Sequence, residues 1–322
     1  MIQRPHQILK EFANQGYKSI LYNVNSTNRE IIEVKQNLYI YNKIRPPAGN
    51  GGKKIIWISY PPLYKQIAPW VDKDLVVFDC IDYPEDQFKH WSRGIDQLRQ
   101  KSDFIFVTSQ SLYEFNNEYK DKTYICKNGA DFNHFARAKT VYCDKPDDMK
   151  NIKGPIVGYF GAIAEWIDWK LLTFLAEKNK FSIVLLGPLF KLSRLPINHE
   201  KIFYLGEKNY EDLPRYLQNF DACIIPFLEN RLTSACNPIK MYEYLSAGKP
   251  VITTNLQECK VETVKSAKDY HEFYLNLMDC LNENYSEDIE KRILFAQDNS
   301  WESRVRYIRS VIEPELRKIK EN

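Results

Sequence analysis

The chain has no apolar run approaching the roughly 18 residues that a membrane-spanning helix needs. It has no internal repeat, no low-complexity tract and no surplus of one charge: 45 Lys and Arg face 42 Asp and Glu, a formal net charge of +3. Without a basic excess, the electrostatic footprint of nucleic-acid binding is missing. Seven cysteines stand at 80, 126, 143, 223, 236, 259 and 280, an odd number with no C-x-x-C spacing. That pattern predicts no zinc site and argues for reduced, mostly buried thiols in a cytoplasmic protein. None has a motif-level partner that would make it a nucleophile. No signal-peptide pattern precedes Gln3-Arg4-Pro5-His6.

What is present is an alternation of strand and helix signals over 322 residues, long enough for two cores. Strands are expected at 18–23, 54–59, 74–79, 103–108 and 123–126, and helices at 4–15, 89–101 and 109–119. Residues 30–41 alternate apolar and polar and predict a hairpin. Residues 45–53, rich in Pro, Gly and Lys, predict an exposed loop. After a charged linker near 136–153, strands are expected at 155–159, 181–186, 201–204, 221–225 and 250–254. Helices are expected at 168–178, 210–219, 237–247, 267–282 and 285–297, with an amphipathic one over 300–320. This is an α/β chain with two successive parallel-sheet units, each Rossmann-like: 1–150, 151–300 and a terminal helix from 301 to 322 that packs back on the first unit. The first unit opens at a helix pattern, Gln3–Lys10, so its first strand reads as missing.

The run Asn237-Pro238-Ile239-Lys240-Met241-Tyr242-Glu243-Tyr244-Leu245-Ser246-Ala247-Gly248 reads as a helix with both ends marked. Asn237 is a candidate cap, Pro238 suits the first position and Gly248 a left-handed stop. On this mostly apolar helix, Lys240, Glu243 and Ala247 share one face. A narrow stripe of that kind suits the lining of a cleft. Lys240 and the free N–H groups of the helix start could meet a diphosphate, and Glu243, one turn deeper, two ribose hydroxyls. The plainer reading is a surface Lys–Glu pair, worth about 0.2–0.5 kcal/mol and in the less favourable order.

This segment resembles the donor-binding helix of GT-B glycosyltransferases of the family 4 type. Its N-P-x-K-x-Y-E-Y-L-x-A-G-K-P-V form is similar to that of bacterial surface-polysaccharide enzymes of the teichuronic-acid type. Phe78–Tyr83, Val107–Ser109, Asn128–Asp131, Gly158–Trp166, Leu185–Pro188 and Tyr204–Gly206 match in the same order. The resemblance covers nearly the whole chain, and it implies a two-domain GT-B fold with a cleft. The donor would be a nucleotide-diphosphate sugar, with no metal or other cofactor, and the sugar would move with retention to a hydroxyl of a cell-envelope polysaccharide or glycolipid precursor. An acceptor carried on a lipid would require peripheral contact with the inner face of the membrane.

Several residues gain candidate roles. Gly161 and Ala162 could bring backbone N–H groups to a phosphate, or simply form a tight turn. Glu165 could meet a donor-sugar hydroxyl. Trp166 could stack on an acceptor sugar or close an interface, and Asp168 is expected to cap the next helix. Asp82 and Tyr83 follow a strand, where Asp82 could act as a base toward the acceptor or close the strand in an Asx-turn. The predicted donor set is thus Gly161, Ala162, Glu165, Asn237, Pro238, Lys240 and Glu243. The acceptor set is Asp82, Tyr83 and Trp166, and the catalytic set Asp82, Lys240 and Glu243. The region Tyr210–Pro214 would lie near the nucleobase. Asp72-Lys73-Asp74 spells a D-x-D metal motif but precedes a strand, and reads as a charged turn. The family's first glutamate, eight positions before Glu243, is replaced by Ala235. That substitution keeps open a second reading, a non-catalytic sugar-nucleotide binder or partner subunit. An epimerase on the same fold is a third reading, disfavoured because no acid–base pair emerges.

Overall fold

The computed structural model describes residues 3–22, 31–41, 54–71, 75–140, 144–282 and 286–318. They fall into two units. One runs up to Asn128 and takes in Ala235–Asn237 and the chain from Trp301; the other holds Gly129–Ser234 and Pro238–Ser300. The division therefore lies at Asn128, earlier in the chain than the expected boundary at 150. The D-x-D triplet 72–74, the loop 45–53 and Cys143 lie outside the described residues. Among those described, no helix is long and apolar enough to cross a membrane.

The N-terminal unit starts, among the described residues, with the helix Arg4–Asn14. Strands β1 (Ser19–Tyr22), β2 (Ile31–Lys35) and β3 (Leu38–Tyr41) form a small sheet in which β1 and β3 are parallel and β2 and β3 make the expected hairpin. Its turn holds Asn37 at φ +65°, a left-handed value that Asn tolerates. Strands β4 (Ile55–Ile58), β5 (Leu75–Cys80), β6 (Phe104–Val107) and β7 (Thr123–Ile125) lie side by side, all parallel. Their apolar runs are continuous, as strands covered on both faces require. One buried charge interrupts the run in β5. Asp79 is fully enclosed, and its two oxygens share the single N–H of Arg4 Nε, at 2.9 and 3.0 Å. The terminal helix Trp301–Lys318 belongs to the same unit, where Tyr17 Oη donates to Glu313 at 2.8 Å.

The second unit is one six-stranded parallel sheet of β8 (Ile156–Phe160), β9 (Ser182–Leu186), β10 (Ile202–Tyr204), β11 (Ala222–Ile225), β12 (Val251–Thr254) and β13 (Val264–Ala267). In space their order is β10-β9-β8-β11-β12-β13. Chain order therefore reverses between β8 and β11, the doubly wound arrangement that places ligands beyond the strand C-termini at the switch point. Strand β13 is half polar (Val264-Lys265-Ser266-Ala267) and sits at the sheet edge, so it carried no apolar run to mark it.

Candidate functional site

Strand β8 ends at Phe160, and the turn that follows falls at the switch point. Gly161 has φ +138°, a value that a side chain resists, and its N–H donates to Leu186 O at 2.9 Å. Gly187, just past β9, has φ +137°, and a Cβ there would lie 1.9 Å from Gly161 O. The two glycines let adjacent strand ends close against each other. Tyr159 Oη donates to Ala162 O at 2.8 Å and fixes the far side of the turn.

Across this turn lies the helix Ile239–Ser246. Its Met241, Tyr242, Tyr244 and Leu245 are buried, and the Tyr244 hydroxyl accepts from Phe160 N–H at 2.9 Å, which ties the helix to the end of β8. Gly248 stops the helix at φ +70°. The start differs from expectation. Pro238 stands at the cap position with no side-chain capping bond, and Asn237 turns its Oδ1 to Asn128 N–H instead, at 2.8 Å. Asn128 Nδ2 in turn donates to Asn237 O at 2.5 Å. Asn237 thus accepts two bonds from Asn128, one on its carboxamide and one on its backbone carbonyl, and has more to gain there than at an isolated cap.

The stripe predicted on this helix has a definite geometry. A Cβ on Gly161 would stand 2.8 Å from Lys240 Cε and 3.3 Å from its Nζ. The ammonium lies 4.8 Å from the Phe227 ring centroid, beyond β11, and 5.3 Å from that of Tyr159 on β8. Lys240 thus occupies the crevice between the strands where chain order reverses. Glu243 is 7% exposed, and among the described residues no hydrogen bond reaches its carboxyl. Burial pushes its pKa up to about 8; Lys240 pulls it down, and Asp131 adds to the rise. A largely buried carboxyl with no protein donor is costly, and groups perturbed in this way concentrate at functional sites. Gly161, Ala162, Lys240 and Glu243 therefore come together.

The other predicted residues scatter. Glu165 is exposed on the loop after the turn. Trp166 is half-buried and tilted on Phe190 at 5.6 Å. Asp168 caps the helix Trp169–Glu177, accepting from Leu171 N–H at 2.9 Å, and also accepts from Tyr270 Oη. Tyr210 stacks on His134 at 4.4 Å, with planes only 7° apart.

In the N-terminal unit, Asp82 follows β5. It is only half-buried by surface area, yet surrounding protein pushes its carboxyl up to about 7, and among the described residues no hydrogen bond or ion pair holds it. Tyr83 corrects expectation. Its hydroxyl donates to Ser111 O at 2.9 Å, and its ring packs edge-on against Phe115, so it is a core residue with no accessible face for an acceptor. Ala235 is likewise 1% exposed in that core.

The pairing of Arg4 with Asp79 was missed by sequence reasoning. Its signal was a lone aspartate inside Leu75-Val76-Val77-Phe78-Asp79-Cys80, which needs a buried cation. Among the described residues, no group of three His, Cys, Asp or Glu side chains could hold a metal ion.

Comparison with known proteins agrees with the fold. Residues 154–279 match the family described as "Glycosyl transferases group 1". Over 260 residues the chain is 25% identical to a Bacillus subtilis (strain 168) protein that bears the name of a teichuronic acid biosynthesis glycosyltransferase, TuaH; the match covers 72% of this chain and 62% of that relative's length. Sucrose-phosphate synthase from Thermosynechococcus elongatus superposes with a TM-score of 0.70 at 13% identity, over 98% of this chain and 93% of that one. An E. coli structure titled trehalose-6-phosphate, bound with UDP-2-fluoro glucose, gives 0.68 at 10% identity, covering 97% of each. Anabaena Alr3699/HepE in complex with UDP-glucose gives 0.61 at 16%, over 81% and 78%. Residues 154–279 are a glycosyl transferases group 1 domain, in a chain with the GT-B fold.

Proposed function

We propose that the chain transfers a sugar from a nucleoside diphosphate donor to a hydroxyl of a cell-surface polysaccharide or glycolipid precursor, with retention at the anomeric carbon. The observation that carries this reading is the Lys240–Glu243 pair at the switch point, a cation over a glycine turn with a buried carboxyl that lacks hydrogen-bond donors. Solved proteins of the same fold are titled as complexes with UDP and UDP-sugars.

In this reading the Gly161 turn, the start of the helix Ile239–Ser246 and Lys240 receive the diphosphate. As the glycosidic C–O bond breaks, negative charge builds on the departing diphosphate, and groups already aimed at it stabilise that charge without reorganising. The Lys240 ammonium supplies a charge-assisted bond worth about 1.5–3 kcal/mol, more than the roughly 0.3–2 kcal/mol of the helix dipole. Glu243 accepts the ribose hydroxyls. Asp82 takes the proton from the acceptor hydroxyl. No side chain in this scheme requires a metal. The acceptor's association with a membrane would be peripheral.

Calorimetric titration of UDP and GDP into the native chain and Glu243→Ala, without added metal, tests the donor site. Binding that collapses in the variant is the expected result, and equal binding by both would remove Glu243 from the site. Ala235, set in the core of the N-terminal unit where the resembling enzymes carry a glutamate, favours one other reading. A chain that binds the nucleotide but turns over no donor would be a sugar-nucleotide-binding partner subunit.

A further inference from the structure

Strand β4 ends at Ile58, and Tyr60 follows it; the segment Asp86–Ser92 follows β5, the next strand in the sheet. Both lie beyond the carboxyl ends of neighbouring parallel strands, the edge where such sheets bind ligands. There Tyr60, His90 and Trp91 gather. Tyr60 meets Trp91 at 5.8 Å and 81°, and His90 at 6.0 Å and 58°. Phe88 tilts against Trp91 at 5.0 Å. Gly94, at φ +87°, lets this segment close on the short 3-10 turn Pro61–Leu63, since a Cβ there would stand 3.0 Å from Pro61 O.

These rings are not finished core. Tyr60 is 38% exposed and His90 is exposed. Among the described residues no hydrogen bond reaches the Tyr60 hydroxyl, the Trp91 indole N–H or either ring nitrogen of His90. Rings that offer both an apolar face and an unpaired polar tip suit a ligand that is itself apolar on one face and hydroxylated at its rim. A pyranose has that character. Lys89 and Arg93, both exposed, flank His90 and Trp91 along the chain, and among the described residues neither has an ion-pair partner. The complementary ligand is therefore anionic.

We propose that Tyr60, His90 and Trp91 form a subsite for an acidic saccharide, a pyranose bearing a carboxylate or a phosphate. Its role as acceptor site rests on the transfer proposed above; its affinity for a saccharide does not. Edge-on rings that are half sunk among their neighbours present faces for stacking and leave little to insert into a lipid bilayer, so a sugar fits them better than a membrane surface does.

Saturation-transfer NMR tests the subsite with three probes, digalacturonic acid, glucose 6-phosphate and neutral maltose. Vesicles of phosphatidylglycerol serve as a fourth arm, and UDP titration of every variant reports on folding and on the donor site separately. At least one acidic probe should bind the native chain. Tyr60→Ala and Trp91→Ala should each weaken it about fivefold or more, and Lys89→Glu with Arg93→Glu should weaken the acidic probe but not maltose, all with UDP affinity unchanged. Binding of digalacturonic acid alone would mark a uronate ligand, and of glucose 6-phosphate alone a phosphosaccharide. Failure of every probe to bind while UDP still binds would overturn the subsite and leave the donor reading intact. Ring variants that bind like the native chain would also overturn it, as would vesicle binding lost with the rings.

Discussion

The Lys240 side chain crosses the Gly161 backbone so closely that one added methyl would stand 2.8 Å from its Cε. The glycine is thus required twice, for its φ of +138° and for the room it leaves the lysine. Gly161→Ala should both strain the turn and push the ammonium from its place over Phe227. UDP affinity should fall about tenfold or more, the equivalent of ~1.4 kcal/mol. An unchanged calorimetric affinity would mean that Lys240 does not need its present position.

Lys240→Ala tests the charge itself. Losing a charge-assisted bond of about 1.5–3 kcal/mol should slow donor turnover by roughly 10- to 100-fold. Neither Glu165→Ala nor Trp166→Ala, in the loop after the Gly161 turn, should cost as much. Donor consumption followed by release of the nucleoside diphosphate would rank the variants. Native turnover in Lys240→Ala would end the assignment.

Much of this arrangement was legible in the sequence because local rules agreed with the fold. Apolar β-branched runs marked every strand of the second sheet except β13, whose Lys265 and Ser266 dilute the signal at the edge. Asp168, a residue type suited to a cap, caps the helix Trp169–Glu177. What stayed hidden depends on contacts distant in sequence. Nothing near Asn237 shows that Asn128 will draw its carboxamide away from the helix start. Tyr83 has the composition of a cleft residue, and only the position of Ser111 buries its hydroxyl. The tilt of Tyr60 toward Trp91 likewise depends on the closure at Gly94.

Glu243 should make stability fall as pH rises. Burial lifts its folded pKa from 4.5 to about 8, so the folded chain holds a proton that the unfolded chain has released between those values. That contribution is complete below about 4.5 and lost as pH rises through about 8. Glu243→Gln keeps a neutral group in the same space and should remove the effect. Thermal unfolding from pH 5 to 9 should show a steeper decline for the native chain than for the variant. Parallel curves would mean that the carboxyl is not enclosed in solution.

Asp82 predicts a different pH effect, on rate. A base must be ionised, and with its pKa pushed up to about 7 turnover should climb with pH through neutrality and level off above it. Asp82→Asn should lower turnover about 100-fold or more and flatten that limb. A variant that keeps the limb would leave Asp82 as a strand-closing turn residue.

Asn128 should prove far more important to stability than its loop position suggests. Its N–H and Nδ2 serve Asn237, while its Oδ1 accepts from Arg4 Nη1 at 3.1 Å and its carbonyl from Arg304 Nε at 3.0 Å. Arg4 is 2% exposed and Asn237 3%, so water cannot take over the lost bonds. Asn128→Ala strands one donor on Arg4 and one acceptor on Asn237, which should cost roughly 2–5 kcal/mol. Asn128→Asp separates the two halves of the contact. Its carboxylate can still accept from Arg4 but cannot donate to Asn237 O, so it should recover only part of the loss. Urea unfolding of the three proteins would show the order native, Asp, Ala. A variant with Ala as stable as the native chain would mean that the buried guanidinium finds its partners elsewhere.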